Sequence, residues 1–182
     1  MKLFPDYYDA GKVAQVAILL WEGWGYNLFK VENQLRADSL LIRSKGSEIL
    51  GRATASMKAA ETAYRKEKLP LPTRAKPTPD ADAVAGAATI EGLVKEVGRI
   101  ESGLRAAPAP EVDKLHKRFQ EERDLLTRLV ESDKATVGKA EIFRSTVAGK
   151  NGQWLIDNAT EINEALASLS ASITARADLL TV

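Results

Sequence analysis

Residues 155–180 read LIDNATEINEALASLSASITARADLL, and this stretch decides the fold. Leu155, Ala159, Ile162, Leu166, Leu169, Ile173 and Leu180 recur at alternating steps of four and three, which lays them along one face of a helix packed on another helix. Only Arg176 interrupts the series. A half-buried strand would alternate at every second residue instead, and no segment of this chain does so. The spacing predicts a last helix from Gln153 to about Thr181, with one charged residue set into its apolar seam.

Working outward, the same spacing appears upstream in Val112, Leu115, Phe119, Leu126, Leu129, Thr136, Ala140, Phe143 and Val147, which predicts a helix from Glu111 to Val147. Two acids, Glu122 and Asp133, fall on that seam. Gly149 to Gly152 supply the turn between these two helices. Pro108 and Pro110 close an earlier helix expected over Ala81 to Ala106, whose stripe is Ile90, Leu93, Val97, Ile100 and Leu104. Before it, Pro70, Pro72, Pro77 and Pro79 exclude helix from 69–80 and favour an extended connection over the surface. A long helix is expected over Leu28 to Lys68, with small residues (Gly46, Ala53, Ala60) prominent on its seam. The first helix opens at Pro5-Asp6; Val13 to Trp21 is apolar almost all round, so this helix is expected to be central and heavily buried. Gly23 and Gly25 weaken helix, and a break is expected there. These elements add up to an all-α fold, an antiparallel bundle of four to five long helices in one domain over 1–182, with 69–80 as its proline-rich crossover.

Composition narrows the function classes. A formal charge of +1 gives no overall bias towards nucleic acid, although a basic stretch over 30–76 stands against an acidic remainder. On the helix over 28–68, Arg36, Arg43, Lys58, Arg65 and Lys68 form a basic stripe; Glu32 and Glu61 dilute it by i, i+4 pairing, so a solvated face is expected. The longest apolar run is far short of the ~20 residues a membrane span requires. With no cysteine, disulfides, thiolate metal sites and a cysteine nucleophile are all excluded, and the expected location is the cytoplasm. Neither phosphate-loop pattern is present, and no serine stands in a Gly-x-Ser-x-Gly context. The one histidine, His116, has no glutamate three residues before it, so the di-metal pattern of helical bundles is missing and no cofactor is expected.

Two constellations remain. Most of the aromatic residues crowd into the first 29 positions, where Trp21, Trp24 and Tyr26 precede Asn33, Arg36 and Arg43. Rings offer contact area and an arginine fixes an anionic group, so these six define a candidate small-molecule pocket. The second constellation is Glu122 and Asp133, since a carboxylate on a buried seam must be paired or shifted in its ionisation; a seam that drifts to the surface, or salt bridges to arginines of the 28–68 helix, is the expected solution. The reading that follows is a non-enzymatic protein-interaction or scaffold module, self-associating through the carboxy-terminal heptads or the small-residue seam, or docking a protein partner. The alternative is a ligand-binding or sensor bundle using the aromatic and arginine pocket.

Overall fold

The computed structural model describes residues 3–4, 6–23, 32–74, 77–107 and 119–180, the backbone alone for 21–23, 32–39 and 119–124. Among the described residues there are six helices and no strand: α1 (Ala10–Gly23), α2 (Glu32–Lys68), α3 (Ala81–Ala106), α4 (Phe119–Val147), α5 (Gly152–Asp157) and α6 (Ala159–Asp178). The chain is an all-α helical bundle. Asp80 caps α3, its carboxylate accepting from the Asp82 amide at 3.0 Å, and this places the start of the helix where the prolines stop. Gly149 takes a positive φ of 68°, a conformation that costs glycine nothing, and so reverses the chain after α4. Asn151 then caps α5 by accepting from the Trp154 amide at 2.8 Å.

Cross-contacts fix how the helices run. Arg65 of α2 pairs with Glu91 of α3 at 2.9 Å, while Ser47 of α2 donates to Glu101 of α3 at 3.2 Å, so α3 runs back along α2. The backbone of α2 at Gly46 lies against Val137 of α4, and Ser56 accepts from the Gly149 amide at 3.3 Å beyond the end of α4, so α2 and α4 run parallel. Lys139 of α4 reaches Ser172 of α6 at 2.8 Å, and Asp133 meets Arg176, so α6 returns antiparallel to α4. Since α2 and α6 each pack on both α3 and α4, they form one diagonal of the bundle and α3 and α4 the other. The proline-rich segment 69–80 joins two neighbouring antiparallel helices, and its described residues after Leu69 are exposed.

Two expectations need correction. The apolar first helix is not central: α1 packs on α4 from outside, burying Val13 and Ala17 while Ala14, Ile18 and Leu19 are exposed. Alanine and valine make a helix apolar all round by composition, but one buried stripe suffices to hold it. The contact is close. A Cβ at Gly138 of α4 would stand 2.3 Å from the Val13 carbonyl oxygen, so the missing side chain lets the two backbones approach. The second correction concerns the last helix, which breaks at Asn158 into α5 and α6. The Trp154 carbonyl there accepts both from the Asn158 backbone N–H at 3.1 Å and from the Asn158 side-chain amide at 2.7 Å, a local side-chain bond of the kind that competes with regular helix. The break spans a single residue, so Leu155 and Ile162 still share one buried seam.

Ahead of α1 the chain is drawn into the core. Phe4 stacks on Phe143 with ring centroids 6.0 Å apart, and the buried Tyr7 hydroxyl donates to the Ala165 carbonyl at 2.6 Å. The Leu3 amide donates to Glu161 at 2.8 Å. Burial pushes the Tyr7 phenol far above its ordinary range, with the neighbouring Tyr8 adding to the effect.

Candidate functional site

The charged interruption of the α6 seam and that of the α4 seam meet each other. Arg176 and Asp133 are both 0 % exposed at the side chain, and Arg176 Nε donates to Asp133 Oδ1 at 2.5 Å. The antiparallel packing of α4 and α6 brings the two seam positions to the same level. Taking two charges out of water costs several kcal/mol per ion, and good pairing geometry offsets that cost without exceeding it by much. Leaving one partner alone would be far worse.

A third charge lies beside them. Arg43 of α2 is 4 % exposed, and its Nη1 donates to the Ala107 carbonyl just past the end of α3. Carbonyls at a helix end lack intrahelical partners and carry the negative end of the helix dipole, so a guanidinium there satisfies both needs. Burial, and next the like charge of Arg176, draws Arg43 below its ordinary ionisation range, while Asp133 opposes them. This overturns the solvated basic face expected of the α2 stripe at this position. Because α2 packs on both α3 and α4, its buried face is wide enough to take in Arg43 and Ser47 beside Ile42 and Gly46. One turn on, Ser47 accepts from Arg105 at 2.9 Å and donates to Glu101, extending the polar layer towards solvent. Further along, Arg65 does pair with Glu61 at 2.7 Å, as the i, i+4 spacing predicts.

Asp133 is thus the buried carboxylate that the seam pattern singled out. Its hydrogen-bond partner is Arg176 of α6, with Arg43 of the expected helix alongside. The signal is present in the sequence: one heptad seam is interrupted by Arg176 and the other by the acids Glu122 and Asp133, opposite in sign. A guanidinium does not give up its proton at ordinary pH. Chemically, then, the pair fixes charge and register and does not shuttle protons.

The other candidate residues do not come together as a described site. Trp24 and Tyr26 lie outside the described residues, as does His116. Trp21, Asn33, Arg36 and Glu122 belong to helical backbone whose side chains lie outside the description. Of the six pocket residues only Arg43 has a described side chain, and it is directed at a core carbonyl. Among the described residues no three histidine, aspartate or glutamate side chains gather as a metal cluster, and no helix is long and apolar enough to cross a membrane. No protein-family model, curated protein or solved structure matches this chain.

Proposed function

We propose that the protein is a non-enzymatic interaction module that pairs with a second copy of itself through the outward face of α1. The observation that carries this reading is the exposure of Ile18 (48 %) and Leu19 (61 %) on a helix whose other face is already spent on α4. Tyr8, 55 % exposed, stands just ahead of them. The seams first considered for self-association are filled within the chain. Ile42, Ile49, Ala53 and Ala60 of α2 and Ile162, Leu166 and Leu169 of α6 are all buried in its own core.

Charge supports a second copy as the occupant. A total of +1 leaves almost no self-repulsion between copies. α1 carries Lys12 near its start and Glu22 near its end with no charge between, so an antiparallel pair of α1 helices sets opposite charges together. Such two-fold pairing is the commonest form of self-association. A chain without cysteine also suits a reducing interior.

Sedimentation equilibrium across the micromolar range tests the proposal. The expected result is a dimer that Ile18→Asp together with Leu19→Asp converts to a folded monomer. A wild-type chain that stays monomeric throughout that range overturns it.

A further inference from the structure

The outward face of α1 is graded in size along its length. Asp9 caps the helix by accepting from the Gly11 and Lys12 amides at 2.8 and 3.1 Å, which fixes its first turn on small residues. Ala10, Gly11 and Ala14 are exposed at this end, and Ile18 and Leu19 towards the other. Gly11 and Ile18 stand two helical turns apart and so lie nearly on one line, with the exposed Gln15 between them. The face therefore carries a hollow near its start and a knob further on. Among the described residues, a Cβ at Gly11 would meet only Asp9 Oδ1, at 3.3 Å, outside its own helix backbone, so the folded chain leaves that hollow open.

Such a face packs well on a copy of itself in one orientation only. In a parallel pair Ile18 would meet Ile18 and Gly11 would meet Gly11, which props the helices apart at one end and leaves a gap at the other. Turned antiparallel about an axis near Ala14 and Gln15, each Ile18 instead meets the other copy's Gly11. Packed helices approach to about 8–10 Å, and facing side chains decide whether that space is filled without a clash. On the basis of the self-pairing proposed above, we infer that Gly11 is the socket that receives Ile18 of the second copy and so sets the orientation and register of the pair. A closed two-fold pair has two such contacts, because each copy offers both the knob and the hollow. This gives a reason for glycine at an exposed helical position where alanine would favour the helix more.

Gly11→Leu is the first test, since leucine improves the helix and Gly11 is exposed in the single chain. Circular dichroism should show it fully folded. In sedimentation equilibrium it is expected to weaken self-association at least about tenfold, because the added leucine cannot share the socket with Ile18. Ile18→Ala should weaken association by emptying the socket. An equimolar mixture of the two variants, one carrying a fluorescent label, should recover association to within about threefold of the wild type, because the added leucine then faces the added alanine and the second contact keeps its native residues. Association of Gly11→Leu that is unchanged or tighter overturns the socket and leaves pairing through α1 standing, as does a mixture no better than its components. A wild-type chain that stays monomeric throughout the micromolar range overturns both.

Discussion

The two ends of this bundle are closed by opposite means. At one end Tyr64 of α2 is wedged between glycines of two other helices. A Cβ at Gly86 of α3 would lie 2.4 Å from its hydroxyl oxygen, and one at Gly152 of α5 would lie 2.6 Å from its Cβ. Close-packed shape fills the core at that end, with Val147 and Leu155 buried nearby in the same core cluster and the Arg65–Glu91 pair on its partly exposed rim. At the other end of α3 and α6, midway along α4, Asp133, Arg176 and Arg43 replace apolar side chains. Close-packed shape tolerates small substitutions poorly in either direction, because atoms must move. A buried ion pair tolerates replacement of both partners and punishes the loss of one. The same fold therefore has two kinds of fragility, and mutation can tell them apart.

The largest effect is expected at the charged end. Asp133→Leu leaves Arg176 buried without its carboxylate and should lower stability by about 3–5 kcal/mol, read from urea unfolding monitored by circular dichroism. Next come the glycines. Gly152→Ala at the Tyr64 wedge, and Gly138→Ala under α1, should each cost about 1–3 kcal/mol. They should differ in character: the first loosens the bundle end, whereas the second lifts α1 and raises amide exchange there, which hydrogen–deuterium exchange would resolve.

A smaller effect, and one that depends on pH, belongs to Tyr7. Tyr7→Phe removes one buried hydrogen bond and should cost about 1 kcal/mol near neutral pH. The folded-state ionisation of Tyr7 is raised above the 10.0 of an ordinary phenol. Its contribution is thus fully present below pH 10.0 and is lost as pH rises towards the folded value, since the unfolded chain sheds that proton first. Melting temperature should fall more steeply above pH 10.0 for the wild type than for Tyr7→Phe. Lys139, lowered in the fold, acts with the opposite sign below 10.5 and is present in both proteins, so the difference isolates Tyr7. Least of all, Lys95→Ala breaks an exposed pair with Glu91 and should leave the urea midpoint unchanged, in contrast to the buried pair.

Where each result was legible in the sequence follows from what periodicity records. Heptad spacing reports which residues share a face, so the seams of α4 and α6 could be read directly, as could α3 between its prolines. Periodicity does not report what lies across that face. Hence the pattern marks Asp133 as a seam carboxylate without showing that Arg176 of α6 reaches it, and it sets Arg43 on a wet face because the width of a buried stripe depends on how many neighbours a helix has. The α1 sequence was apolar all round, and whether such a helix lies inside or outside depends on space that the longer helices take up first. The single-residue break at Asn158 was hidden because it preserves the seam. The aromatic and arginine pocket was a statement about neighbours in sequence; the one described side chain among its six residues, Arg43, turns to the core.

A double-mutant cycle on Asp133 and Arg176 tests most directly that two charged exceptions on separate seams lock α4 to α6. Unfolding free energies are needed for Asp133→Leu, Arg176→Leu and the double variant. The pairing predicts that the double variant is more stable than at least one single variant, with a coupling of about 2 kcal/mol or more. Additive losses with no coupling would contradict it.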